Sequence, residues 1–122
     1  MGAVILALSA AVRAEPPQIK ILLDEPVSGD ESKHAVTATA YWPPGAATGL
    51  HIHPGDEYAT VLEGALEVTT QGKARLYKAG EAYHNARDVV HETRAAGTQP
   101  ARSVAVFIVD KGVPLSEPVE QR

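Results

Sequence analysis

Turn-forming residues divide this chain into short segments, and that division is the strongest constraint on its fold. The 122 residues include 10 glycines and 9 prolines, and no segment after Pro17 repeats its apolar residues with helical periodicity. The segments between turns alternate their side chains or are rich in β-branched residues, as strands are. By number they are 19–23, 35–42, 51–53, 58–62, 66–70, 75–78, 82–85, 89–94 and 103–109. We therefore predict an all-β sandwich, jelly roll or barrel.

Three connections between these segments can be assigned from composition. Residues 24–33 are polar and are predicted to form a turn region. The prolines Pro43 and Pro44 should end the preceding strand, because proline cannot donate a hydrogen bond to a sheet. Gly64 can take a positive φ at little cost. We therefore predict a tight hairpin at residues 63–65 that joins its two flanking strands.

Size and charge narrow the classes of protein. A chain of 122 residues builds one compact core. Its formal charge of −4 offers no attraction for phosphate backbones, so we expect no nucleic-acid partner. The chain has no cysteine, which excludes disulfides, cysteine nucleophiles and thiolate metal sites. Any metal must be bound through nitrogen and oxygen.

The first fourteen residues differ from the rest and are predicted to be a secretory leader. Residues 4–12 are apolar, and Val12 and Ala14 put small side chains three and one positions before a cleavage site. We expect a mature chain from Glu15 in the periplasm or outside the cell. The run is shorter than the roughly 20 residues of a membrane-spanning helix, so we expect no stable membrane span. An amphipathic N-terminal helix remains the alternative, because no Lys or Arg precedes the run.

The remaining chain is divided by the same criteria into three regions. Residues 15–34 form an N-terminal strand and the polar turn region, and residues 35–110 form the β-domain. Residues 111–122 form a C-terminal tail that contains two prolines.

Two histidines separated by one residue are the clearest chemical signal. Alternate residues of a strand share a face, so His51 and His53 project together while Ile52 points the other way. A turn at residues 54–56 then lets Glu57 add a carboxylate oxygen from the next strand. If these groups face a barrel interior, burial without a partner would cost several kcal/mol, and a metal would compensate for it. The alternative is a pair of exposed histidines beside a surface carboxylate.

His91, on a later strand, is the candidate for a third imidazole. Three imidazoles and one carboxylate suit one divalent transition metal, namely Fe, Mn, Ni, Cu, Co or Zn. An octahedral ion would keep two positions open for water or for a substrate. We therefore predict a metal site formed by His51, His53, Glu57 and His91.

The spacing of these residues resembles the first motif of the cupin superfamily. That motif has a glycine, five residues, His-x-His, three or four residues, Glu, six residues and a glycine. Its fixed positions are matched by Gly45, His51, His53, Glu57 and Gly64.

The second cupin motif is matched only in part, over a resemblance that spans residues 35–110. Gly80 and His91 match it. Ala86 stands where proline is usual, Asp88 where glycine is usual and Ala95 where asparagine is usual, so we expect a more mobile loop before His91. The resemblance implies a double-stranded β-helix barrel that holds the metal inside its mouth, and it implies a homodimer.

The other polar and aromatic residues receive weaker assignments. His34 is expected to be solvated without a role. His84 is expected on the surface, with a hydrogen bond to a metal ligand as the alternative, and Tyr83 is the residue that would exchange places with it at the cavity wall. Tyr58 should point outward because it follows Glu57. Phe107 should line the cavity floor. Tyr41 and Trp42 should pack in the core, with a pocket wall or a dimer interface as the alternative.

Three functions fit such a site. The first is a dioxygenase-like enzyme in which a small oxygen-bearing substrate chelates the metal and Glu57 doubles as the proton acceptor. The second is a non-redox lyase or isomerase in which the ion acts as a Lewis acid, as in uronate-processing cupins. The third is a periplasmic protein that binds a metal or ligand without turnover. The fold alone does not choose among them.

Overall fold

The computed structural model of the chain describes Gly2 and residues 14–120. Of the predicted leader at residues 1–14, only Gly2 and Ala14 are among the described residues, so that prediction lies outside them. Within residues 14–120 the chain contains no helix with the length and apolarity that a membrane crossing requires.

The described part of the chain is built from ten strands and contains no helix, which confirms the all-β prediction. In chain order they are β1 (Gln18–Val27), β2 (Asp30–Trp42), β3 (His51–Ile52), β4 (Gly55–Glu63), β5 (Ala65–Thr70), β6 (Lys73–Lys78), β7 (Ala82–Asn85), β8 (His91–Ala95), β9 (Ala101–Asp110) and β10 (Glu117–Pro118).

These strands form two five-stranded antiparallel sheets that face each other as a double-stranded β-helix. The first sheet has the order β1-β2-β9-β4-β7, and the second has the order β10-β3-β8-β5-β6. Burial alternates along β9, so every second side chain enters the space between the sheets. The inward residues of β2 and β9 include Val36, Trp42, Phe107 and Val109, and they form much of the core.

The predicted turn region at residues 24–33 is wrong, because most of it is strand. β1 and β2 form one long hairpin in which Glu25 pairs with Ala35 and Pro26 with His34. The turn is confined to the stretch around Gly29, which has a φ of 87°. This hairpin lies at the edge of its sheet and exposes nearly all of β1. A strand segment that is exposed on both faces can carry polar side chains only. Its composition is then that of a turn, and composition alone does not distinguish the two.

The predicted hairpin at residues 63–65 is also wrong, although Gly64 does adopt a positive φ of 73°. β4 pairs with β7 and β9, whereas β5 pairs with β6 and β8. The link between β4 and β5 therefore carries the chain from one sheet to the other. A Cβ on Gly64 would lie 2.4 Å from the carbonyl oxygen of Pro100, so glycine is required here for close approach as well as for its φ.

Gly55 allows the strand that carries Glu57 to lie against β9. Gly55 is paired with Val109, and the same register places Glu57 opposite Phe107. A Cβ on Gly55 would lie 1.8 Å from the carbonyl oxygen of Ile108. No side chain fits that space, so the backbone pairing at this point depends on glycine.

The substitution Gly55→Ala is predicted to destabilise the protein strongly, because the added methyl group meets backbone rather than a side chain that can move. Overpacking costs about 1–3 kcal/mol or more. Gly72→Ala is the control, since its φ of 77° adds strain but no atom lies within 4 Å of the new Cβ; its cost should be about 1 kcal/mol. Denaturant unfolding measures both, and an equal loss in the two variants would contradict the assignment.

Candidate metal centre

Three histidine rings meet between the two sheets. The chain places one ligand nitrogen from each of His51, His53 and His91 within 4.8 Å of the others. The ring centroids are 4.2 Å apart for His51 and His91, 4.8 Å for His51 and His53, and 5.0 Å for His53 and His91. His51 and His91 are cross-strand partners on β3 and β8, which is why residues 40 positions apart meet.

The backbone holds each of these rings in one orientation. Nδ1 of His51 lies 2.9 Å from the carbonyl oxygen of Gly49, and Nδ1 of His91 lies 3.0 Å from that of Val89. Nδ1 of His53 lies 2.9 Å from the carbonyl oxygen of Leu115. A carbonyl only accepts, so each Nδ1 must donate its proton, which leaves Nε2 of a neutral ring as the free lone pair. Metal-binding histidines are arranged in this way.

The free nitrogens of two rings are buried without a partner. Nε2 of His53 and Nε2 of His91 make no hydrogen bond, and their residues are 4% and 1% exposed. Burying an unpartnered polar atom normally costs free energy. Here both atoms point towards the same small region as the third ring, and a cation bound there would satisfy them. The donor set therefore fits a divalent transition metal.

Glu57 lies beside this cluster on the opposite sheet. Its Oε1 is 3.5 Å from Nε2 of His53 and 3.8 Å from Nε2 of His91. The side-chain amide of Asn85 donates to the same oxygen over 2.7 Å. Sequence reasoning missed Asn85. The alternation of β7 could have found it, because Asn85 shares a face with Tyr83 and both are buried.

Burial and neighbouring side chains determine the pKa values of His51, His91 and Glu57. Burial lowers the pKa of His91 to about 4, with nearby His51 and His53 adding to the effect, and it lowers the pKa of His51 as well. For Glu57, burial alone would raise the pKa, but the contacts with His53 and Asn85 outweigh it and bring the pKa below its ordinary value. At neutral pH the centre therefore has uncharged His51 and His91 rings and an ionised carboxylate, as metal ligation requires.

A cavity of about 280 Å³ opens beside the histidines. Phe107 lines it, as predicted, and its ring lies 5.0 Å from that of His53. Trp42 also lines the cavity, and its indole donates to Ser103 Oγ over 3.0 Å. Trp42 is 4% exposed, so it is part of the core and of the cavity wall at once.

Tyr83, and not His84, takes the place at the cavity wall that the sequence left open between the two residues. It is buried and lines the cavity. Burial raises the pKa of its phenol well above the usual value, and the negative charge of Glu57 adds to this. The phenol therefore keeps its proton and can donate a hydrogen bond to a molecule in the cavity.

The surface assignments of the neighbouring residues are confirmed. His84 is exposed, and its Nε2 lies 2.9 Å from Asp56 Oδ1. Its ring stacks on Tyr58, which is half exposed. His34 lies in strand β2 rather than in a turn and contacts Asp24, with Nδ1 2.7 Å from the carboxylate. Among the described residues, its hydrogen bond is to Asp24 and not to any residue of the histidine cluster.

The loop before His91 keeps its turn despite the departures from the second motif. Asp88 adopts a left-handed φ of 59°, the conformation for which glycine is usual at this position. Its amide donates to the carbonyl of His53 over 3.1 Å, and the amide of Val89 donates to the carbonyl of Ala86 over 3.2 Å. Aspartate tolerates this conformation better than most residues. His91 therefore lies in the cluster although the loop before it lacks the usual proline and glycine.

Comparison with solved structures shows the same fold. A double-stranded β-helix protein from Klebsiella pneumoniae is 21% identical, with 87% of this chain and 86% of that chain covered and a TM-score of 0.69. The DMSP lyase DddQ from Ruegeria pomeroyi is 19% identical, with 84% and 51% covered and a TM-score of 0.69. KdgF from Halomonas sp. is 24% identical, with 79% and 81% covered and a TM-score of 0.60.

Comparison with curated proteins gives no match. The family model for the cupin domain matches residues 38–107, which include the three histidines, Glu57 and most of both sheets. With its fold, its clustered histidines and this match taken together, the chain belongs to the cupin family.

Proposed function

We propose that the protein is a divalent-metal enzyme that acts on a small oxygen-bearing molecule. The observation that carries the proposal is the pair of buried, unpartnered Nε2 atoms of His53 and His91, which point to the same place as the ring of His51. Three backbone carbonyls fix these rings in the form that binds metal. Such an arrangement has a cost in the metal-free chain, and metal binding removes that cost.

The proposed ligands are His51, His53 and His91, with Glu57 as the fourth. A bound divalent ion would polarise an oxygen atom of the substrate and, if redox-active, would bring O₂ alongside it. Asn85 holds the carboxylate of Glu57 in place through its 2.7 Å hydrogen bond. The cavity beside the ligands excludes bulk water from part of the site and leaves room for the substrate.

The reaction that we propose first is dioxygenase-like, with Glu57 serving as proton acceptor. Its carboxylate stays ionised, because its contacts with His53 and Asn85 lower its pKa. It is only 12% exposed, so a proton that it accepts is kept from bulk solvent.

A non-redox lyase or isomerase is the second candidate, and Tyr83 favours it. Its neutral phenol lies in the cavity close enough to Glu57 to feel its charge. A carboxylate that accepts a proton, together with a neutral phenol that donates a hydrogen bond to an oxygen on which negative charge develops, suits a reaction of this kind. A DMSP lyase is also among the proteins with this fold.

Metal identity and O₂ consumption distinguish the two reactions. The mature protein is purified without oxygen, its metal is identified by elemental analysis, and flavonols, catechols, diketones and uronates are offered as substrates. O₂ uptake that matches substrate loss supports the dioxygenase-like reaction. Turnover with zinc or nickel in the absence of O₂ supports the lyase or isomerase. Binding without product would contradict both and indicate a binding protein.

We further propose export to the periplasm or secretion after cleavage behind Ala14, and a homodimer. The edge strand β1 exposes Ile19, Ile21 and Leu23 at about half of their surface, and a partner subunit would cover such an edge. The intact mass of the exported protein and light scattering test both points. A first residue other than Glu15, or a monomer mass, would contradict the corresponding proposal.

Removing a histidine of the cluster is predicted to abolish stoichiometric metal binding. Loss of an outer partner of a metal ligand already weakens affinity by about 10–100-fold, and loss of a ligand should exceed that for His51→Ala and for His53→Ala. His34→Ala is the matched control, because His34 contacts only Asp24 in the described hydrogen-bond network. Zinc titration by calorimetry measures all three. Full metal content in the double variant H51A/H53A would contradict the assignment.

The metal-free protein is predicted to lose stability as the pH falls from about 6.5 to 4. His91 has a pKa of about 4 in the folded chain and an ordinary value of 6.5. Between these values the unfolded chain binds more protons, so stability is complete above pH 6.5 and is lost as the pH falls through 4. Thermal unfolding across this range measures the effect, and His91→Gln should flatten the profile whereas His34→Ala should not. An equal slope in H91Q would contradict the prediction.

A further inference from the structure

The wall of the cavity beside the histidines is built mainly from apolar side chains. Trp42 and Phe107 come from the central strands of the first sheet, and Ile19 and Leu115 stand near the N- and C-terminal segments that border the opening. Ala38 also contributes to the wall, and its small side chain leaves the space open. A molecule that fills this space must therefore exchange water for hydrocarbon over most of its surface.

The charged groups of the cavity are concentrated at one end. Among the described residues that line it, the ionisable side chains are His51, His53, Glu57 and Tyr83. All four belong to the metal centre or lie beside it, and none of them is a lysine or an arginine. An anionic group placed away from the centre would meet no cationic side chain among the described lining residues, and in the metal-free chain one placed at the centre would meet the negative charge of Glu57, so its burial would be unfavourable.

The volume of the cavity limits the size of its ligand. An apolar cavity of about 150 Å³ holds a benzene molecule. At about 280 Å³, this cavity has room for one ring with a substituent. Tyr83 and the histidine cluster could orient the oxygen atom of such a molecule, and the other polar lining groups are uncharged hydroxyls, those of Thr39, Thr48, Thr93, Ser103 and Ser116.

We propose that this cavity binds a small, uncharged, largely apolar molecule of about one ring, with an oxygen atom directed at the histidine cluster. This inference rests on the proposed function. The apolar walls bind the ring, and the phenol of Tyr83 is placed to donate a hydrogen bond to the oxygen. The assignment predicts weaker binding of anionic sugar acids, such as the uronates of the substrate panel, and of cationic amines of the same size.

The test compares three probes of one shape and different charge, namely benzamide, benzoate and benzamidine. Trp42 is the only tryptophan of the chain, so its fluorescence reports binding in this cavity, and calorimetry measures affinity independently. In the metal-free full chain at neutral pH, benzamide should bind about tenfold more tightly than benzoate, a difference of about 1.4 kcal/mol. Tightest binding of benzoate or of benzamidine, or no binding of benzamide, would overturn the inference.

A charge at the cavity opening provides a second test with a matched control. Ile19 lines the cavity, whereas Ile21 lies two residues along the same exposed strand and does not. Ile19→Lys should raise the affinity for benzoate relative to benzamide, and Ile21→Lys should leave the ratio unchanged. Both positions are about half exposed in the single subunit, so both variants should fold, and light scattering checks that the two variants have the same oligomeric state. An equal effect of the two substitutions would overturn the placement of the ligand.

Zinc titration of the same samples separates this inference from the proposed function. If zinc does not bind, the proposed metal function fails while the benzamide comparison still tests the cavity. If zinc binds stoichiometrically and benzoate is preferred in the metal-free chain, the cavity inference fails and the metal function stands.

Discussion

The candidate metal centre depends on three hydrogen bonds between histidine rings and backbone carbonyl groups. Each bond takes the Nδ1 proton of one ring, and together they direct three Nε2 lone pairs to one region. The carbonyls belong to Gly49, Val89 and Leu115, which lie in three separate connecting segments. The barrel therefore has to close correctly before the centre exists, and fold and site form together.

Much of this arrangement could be predicted from strand periodicity. Alternation places His51 and His53 on one face, Tyr58 opposite Glu57, and Phe107 towards the interior, and the structure has each of them there. These predictions succeed because a pleated strand leaves only two directions for a side chain.

The errors occur where pairing between distant segments decides the outcome. Residues 24–33, at the turn end of the β1–β2 hairpin, have no buried face that would leave a periodic pattern, so they resembled a turn. Gly64 has the φ of a hairpin turn, but the strands on either side of it pair with other strands. No residue near Gly64 indicates those partners. Asn85 was missed for a related reason, since its role depends on Glu57, which is 28 residues away in the chain.

The involvement of Leu115 makes the segment after β9 part of the candidate metal centre. Leu115 belongs to the segment that the sequence marks only as a tail, yet its carbonyl orients His53, and Pro118 pairs with His51 in β10 and β3. The geometry of the histidine cluster is thus tied to the connection between β9 and β10. A substitution that moves this connection would turn the ring of His53 without changing any of the three histidines.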